Sequence, residues 1–174
     1  MTISIDSATF RKVLGHYPTG VCAITAMEDG RPVGMIVGTF TSVSLAPPLV
    51  AFFPDRKSRS WQRIRAVGRF CVNVLGADQL DLCQTLASRG DDKFSAVRWT
   101  MNDFGLPILN DVIAWILCDL HAVHEAGDHD IALGNVLMLD VESSKEPLIF
   151  CNGGYGKLEW ATPPSLVRAA AGVK

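Results

Sequence analysis

Two pairs of strand-like runs, each folded about a short turn, limit this chain more than any other feature. The stretch "GVCAITAMEDGRPVGMIVGTFTSVSL", residues 20–45, holds two β-branched runs around Glu28-Asp29-Gly30, which is a hairpin signal. From Val112 onward, "VIAWILCDLHAVH", the turn "EAGD" and "HDIALGNVLMLDVES" read as a second, longer hairpin. Strands so close in sequence, with few helices between them, pair antiparallel. The expected fold is therefore mainly β, a β-barrel with peripheral helices, and a doubly wound parallel sheet is disfavoured. In keeping with this, no G-x-G-x-x-G opens a helix after a strand and no G-x-x-x-x-G-K-[ST] is present, so neither a Rossmann site nor a P-loop is indicated.

The remaining elements fill in around the hairpins. Asp6 or Ser7 can cap a helix through "ATFRKVLGHY" that stops ahead of Pro18. "LVAFFP" reads as a short buried strand, "KSRSWQRIRAVG" as a helix ended by Gly68, "RFCVNVL" as a strand and "ADQLDLCQTLAS" as a helix. A polar loop, "RGDDKFSAVRW", precedes the second hairpin, and "PLIFC" leads into a turn at Gly153-Gly154. One domain over residues 1–160 and a tail over residues 161–174 are expected.

Composition narrows the function. Of 174 residues 48% are apolar, enough for a sizeable core. Sixteen basic residues against 18 acidic ones leave a net charge of −2, which argues against a nucleic-acid partner. No run has the length of a signal peptide or a bilayer span, so no membrane association and a cytoplasmic location are expected. Cys22, Cys71, Cys83, Cys118 and Cys151 are scattered and lack C-x-x-C spacing, and read as reduced thiols. His121 and His124, three apart on a strand, point to opposite faces, one buried and one exposed. No metal site is expected.

Two segments carry chemistry. In "GTFTSVSLAPP", residues 38–48, a continuous strand puts Gly38, Phe40, Ser42 and Ser44 on one face and Thr39, Thr41 and Val43 on the other, so both faces bear hydroxyls. Either these pair with Ser and Thr across strands, or one face packs inward and the other meets a ligand. In "DRKSRSW", residues 55–61, Lys57, Ser58 and Ser60 start a helix, where N–H groups and the dipole favour an anion. The alternative is a simple N-cap with a solvated basic face. A ligand with a planar ring and a phosphate would use both segments, with Phe40 and Trp61 as apolar surface.

The ordered set "FRKVLGHYPTGVCAITA", "GTFTSVSLAPPLV", "KSRSW", "GRFCVNVL", "DKF", "AGDH" and "GGYGKL" resembles the short-chain flavin reductase family, the reductase partners of two-component flavin monooxygenases. The resemblance implies an antiparallel Greek-key, FMN-binding split barrel, usually a homodimer. It implies reduction of free FMN or FAD by NADH or NADPH, and diffusion of reduced flavin to a separate monooxygenase. By the same resemblance Val37, Gly38, Thr39, Phe40, Thr41, Ser42, Val43 and Ser44 line the isoalloxazine and ribityl chain. Ser58, Arg59, Ser60 and Trp61 match the phosphate side, Lys93 and Phe94 a pair approaching the flavin, and His129 and Tyr155 the nicotinamide side, with His129 as the catalytic candidate. Many members read Asn-Ser where this chain has Gly38-Thr39, which removes a side-chain amide from the flavin edge. His129, between Asp128 and Asp130, also reads as a plain polar turn residue. A flavin-binding carrier or sensor, or a reductase of a non-flavin acceptor, is the alternative function.

Overall fold

The computed structural model describes residues 5–90 and 92–161, so the tail expected over residues 161–174 lies outside the described residues except for Ala161. Helix α1 spans Ser7–Leu14 and is capped by Asp6. The Asp6 carboxylate accepts the Thr9 hydroxyl at 2.7 Å and the N–H groups of Ala8 and Thr9 at 3.0 and 2.9 Å. Those bonds, the Thr9 hydroxyl foremost, hold its carboxyl below the usual carboxylate range. Strands β1 (Thr19–Gly20), β2 (Cys22–Glu28), β3 (Arg31–Val37), β4 (Thr41–Leu45) and β5 (Pro48–Phe52) follow, then α2 (Arg59–Val67) and β6 (Arg69–Val74). After a 3₁₀ turn at Ala77–Gln79 come α3 (Leu80–Ala87), β7 (Trp99–Met101), β8 (Pro107–Leu109), β9 (Ala114–Ala126), β10 (His129–Val141), β11 (Leu148–Cys151) and β12 (Gly154–Lys157).

Seven strands form one antiparallel sheet in the order β3-β2-β6-β9-β10-β5-β4. Its two edge strands, β3 and β4, are consecutive in sequence and joined by Gly38-Thr39-Phe40 alone. If the sheet were flat, those edges would lie roughly 29 Å apart at about 4.8 Å per strand, whereas a linker this short reaches about 14 Å at most. The sheet must therefore curl until its edges meet at that corner. The core confirms the closure: Val33 and Val37 of β3 pack in one cluster with Val50 and Phe52 of β5, Phe70 and Val72 of β6, and Trp61 and Ile64 of α2. At its centre Phe52 meets both Trp61 and Phe70 edge-on, with ring centroids 5.5 and 5.3 Å apart. The expectation of one unbroken strand over residues 38–44 is thereby corrected. Its first three residues turn the corner, and Thr41, Ser42 and Val43 lie exposed on β4.

Both expected hairpins are present. Asp29 and Gly30 take the left-handed conformation (φ 49° and 74°) that a tight two-residue turn demands. The β9–β10 hairpin has thirteen residues in each arm and two register shifts, which leave His121 and Leu137 unpaired. The bulge at His121 breaks the alternation, so His121 and His124 are both exposed rather than one buried and one exposed. Gly134 on β10 is required by packing, since a Cβ there would lie 2.6 Å from Phe70 Cζ and 3.0 Å from Cys118 Cβ. The short β7–β8 pair, which sequence patterning misses, is fastened by buried amides. Asn73 accepts the Leu109 N–H at 2.9 Å and donates to Thr25 Oγ1 at 3.0 Å and to the Ala23 carbonyl at 3.2 Å, while Thr25 donates to the Pro107 carbonyl at 2.6 Å. A second core, of Val21, Leu75, Leu86, Leu109 and Leu148 among others, lies beneath α3.

Candidate functional site

Helix α2 forms where the sequence places its signals. The Ser58 hydroxyl accepts the Trp61 N–H at 3.3 Å, and Gly68, left-handed at φ 75°, closes the other end by donating to the Ile64 carbonyl. Helical spacing turns Trp61 and Ile64 inward. Trp61 is fully buried, so it supplies no ligand surface, which corrects the expectation drawn from "KSRSW".

What holds α2 in place is a carboxylate that sequence reading missed. Asp130 is 2% exposed at its side chain and accepts the Trp61 indole N–H at 2.8 Å. Arg56 at 3.5 Å and Arg65 at 3.7 Å balance its charge. Just before α2, the Arg56 N–H donates to the Asp128 carbonyl and the Asp130 N–H to the Pro54 carbonyl, while Asp55 forms an antiparallel bridge with His129. The chain leading into α2 is thus laid as an extra strand along the tip of the β9–β10 hairpin. This fixes the start of α2 relative to His129.

Along this seam runs a groove with two lobes. One, about 350 Å³, is bounded by Met35, Ile36 and Val37 of β3, Thr39, Phe53, Pro54, Leu86 and His129. The other, about 430 Å³, is basic and bounded by Pro32, Val33 and Gly34 of β3, Lys57, Arg59, Arg63, Ser88, Arg89, Gly90 and Phe94. Asp55, Ser58, Ser60, Ala87 and Lys93 border both. Where the lobes meet, the N-terminus of α2 supplies positive dipole and outward N–H groups beside the Ser58 and Ser60 hydroxyls, a setting for an anion.

Several groove residues are fixed by their own bonds. Thr39 Oγ1 accepts the Phe53 N–H at 3.0 Å, which ties the barrel corner to the end of β5. Arg63 pairs with Glu28 at 2.6 Å, and Lys93 donates to the Leu86 carbonyl at 2.9 Å. His129 is 45% exposed, its Nδ1 2.7 Å from Asp128 Oδ1, and that bond holds the Asp128 carboxyl below its ordinary value.

The structure thus brings Val37, Thr39, Ser58, Arg59, Ser60, Lys93, Phe94 and His129 to one groove. It does not bring the others there. Gly38 turns the corner, and half-buried Phe40 packs on the barrel core. Thr41, Ser42, Val43 and Ser44 belong to β4. Tyr155, on β12, packs at a tilt against Phe150 at 5.2 Å and lies 3.6 Å from the Cys83 thiol, a contact that, with desolvation, pushes its phenol up to about 12. Asp55, Arg63, Arg89 and Asp130 were missed. Arg63 follows Arg59 at helical i,i+4 spacing and was detectable; the others depend on contacts distant in sequence. Among the described residues no group of three or more His, Cys, Asp or Glu could hold a metal ion.

The flavin reductase like domain matches residues 14–159. The chain belongs to this family. A flavin reductase of Pseudomonas putida is 58% identical over 154 residues, covering 88% of this chain and 91% of that protein. The reductase subunit HsaB of a flavin-dependent monooxygenase from Rhodococcus jostii is 45% identical, covering 90% of this chain and 80% of the relative. The solved structure of the NADH:FAD oxidoreductase SgcE6 of Streptomyces globisporus superposes with a TM-score of 0.83 at 32% identity, over 91% of this chain and 99% of that one. The flavin reductase split barrel is the fold of this member.

Proposed function

We propose that this flavin reductase family member transfers hydride from NADH to a free flavin and supplies the reduced flavin to a partner monooxygenase. The observation that carries the reading is the groove in which a helix N-terminus, Ser58 and Ser60 lie between a lobe reaching His129 and a basic lobe. Thr39 and Phe53 suit a planar ring, the start of α2 suits its phosphate, and His129 suits the nicotinamide. Hydride leaves nicotinamide C4 with its electron pair and arrives at flavin N5, giving the oxidised nicotinamide and an anionic reduced flavin. The barrel contributes stacking, alignment and positive potential against the new negative charge, and no acid–base pair is needed. Use of NADPH in place of NADH is tested by the same experiment.

A homodimer accompanies this reading. Val43 and Leu45 of β4 and Leu137, Met138 and Leu139 of β10 are exposed, and the register sets Leu45 and Leu137 toward one end of the sheet. A second copy would cover these side chains. Free buried thiols and the nicotinamide donor fit a cytoplasmic setting, and no helix among the described residues is long and apolar enough to cross a membrane.

The loss of nicotinamide absorbance, followed with NADH and NADPH and with no flavin, FMN or FAD, tests the function. Turnover that saturates with added flavin is expected. Folded protein inactive with every pair would overturn the reading.

A further inference from the structure

We infer that Arg56 is a positioning residue for hydride transfer: it touches neither ligand and sets the place of His129 relative to the start of α2. The inference rests on the reductase reading for what those two places hold. Three observations carry it.

The two halves of the proposed site come from elements far apart in the chain. His129 opens β10 at the tip of the β9–β10 hairpin, whereas Ser58 and Ser60 stand at the start of α2. Hydride transfer needs its donor and acceptor atoms about 3–3.5 Å apart, and a displacement of about 1 Å can cost about a hundredfold in rate. Whatever joins the hairpin tip to α2 therefore acts on the rate.

Arg56 makes that joint with both its backbone and its side chain. Its N–H donates to the Asp128 carbonyl at 3.1 Å, and its own carbonyl accepts the Gln62 side-chain amide of α2 at 2.8 Å. The guanidinium grips the hairpin at three points. Nη2 donates to Glu125 Oε1 on β9 at 2.7 Å, Nη1 to the Gly127 carbonyl in the turn at 3.4 Å, and Nε lies 3.5 Å from Asp130 Oδ1 on β10. Both arms and the turn between them are thus fixed to one rigid, planar fork, an arrangement that a lysine ammonium could not reproduce.

Neither binding nor stability accounts for this investment. Arg56 borders neither lobe of the groove. Its side chain is 41% exposed and that of Glu125 74%, a pair that solvent screens and that adds little to folding. The Trp61 bond to Asp130 and the Asp130–Pro54 backbone bond hold α2 without it. What Arg56 adds is a grip on the tip that carries His129.

The test follows flavin reduction by stopped-flow absorbance, with NADH and either FMN or FAD saturating, in the wild type, Arg56→Ala, Glu125→Ala and the double variant. Flavin affinity is measured separately by fluorescence, without nicotinamide. Arg65 still balances Asp130 in Arg56→Ala, and Glu125→Ala loosens the same grip without touching Asp130. Arg56→Ala is expected to slow reduction about tenfold with flavin affinity unchanged, and Glu125→Ala about threefold. The double variant should be no slower than Arg56→Ala, because both substitutions release one grip. A rate equal to the wild type in folded Arg56→Ala would overturn the assignment, and so would losses that multiply in the double variant. Weaker flavin binding with an unchanged saturated rate would make Arg56 a binding residue and overturn it too. Each of those results leaves the reductase standing, whereas a folded wild type that reduces no flavin would overturn the reductase reading and the assignment together.

Discussion

The groove has two helical walls, α2 and α3, and they are held by different physics. Helix α2 is capped at both ends and pinned from within by a polar bond, Trp61 to the buried Asp130, with two arginines balancing the charge. Helix α3 has no side-chain N-cap bond, rests on apolar contacts through Cys83 and Leu86, and runs out at Ser88 into the loop that carries Arg89 and Lys93. A directional bond fixes orientation, whereas apolar contact fixes only proximity. On the proposed reading, the firmly oriented α2 wall is the one that suits the flavin phosphate, and the α3 wall is the one with more freedom to shift.

The largest effect that can break this contrast is Trp61→Ala. It opens a cavity at the barrel centre and strips Asp130 of its donor, and should lower stability by about 3–5 kcal/mol in denaturant titration. A loss under 1 kcal/mol would mean that α2 is not pinned as described. Asp130→Ala, which leaves the Trp61 N–H buried and unpaired, should cost about 1–3 kcal/mol. It should also raise the flavin KM, because the start of α2 loses its tether to the hairpin; a stability loss with unchanged KM would separate the pin from the site. Ser60→Asp keeps the fold and should raise the flavin KM by about tenfold, through repulsion at the phosphate seat. Unchanged flavin kinetics would remove that seat. His129→Ala should raise the nicotinamide KM a few-fold with flavin affinity retained, and normal nicotinamide kinetics would return His129 to the status of a turn residue. Smallest is the effect of pH through Asp128. Its carboxyl is held below the ordinary 3.8 by His129, so the turn's stabilisation is full above that value and lost as the pH falls below it. Asp128→Asn should erase that acid-limb difference in thermal melts taken between pH 5 and pH 2.

Helix α2 could be read from the chain almost residue by residue, because its signals are local: Ser58 for the cap, Gly68 for the left-handed stop, Trp61 and Ile64 for the inward face. The same spacing places Trp61 in the core, whereas the sequence reading took it as ligand surface. The corner at Gly38-Thr39-Phe40 was not legible. Alternation continues through it without a break, and what bends it is the Thr39–Phe53 bond and the meeting of two sheet edges, both remote in sequence. The expectation of a phosphate seat at "KSRSW" rested on such local chemistry, and the seat itself is still a proposal. Lys93 and Phe94 entered the site by resemblance alone, because nothing in a polar loop says which strand it will face.

Asn73 has a consequence of a different kind. Its carbonyl and amide are satisfied only when β6 sits in one register against β2 and the β7–β8 turn has already come to rest upon it. Sliding β6 by a single residue would carry that amide to the opposite face, strand it without partners and leave Thr25 without its donor, a fault of several kcal/mol. An apolar residue there would pack in either alignment. The asparagine proofreads the barrel's assembly: it rejects near-miss pairings that burial alone would accept, and adds discrimination where leucine or valine would add only adhesion.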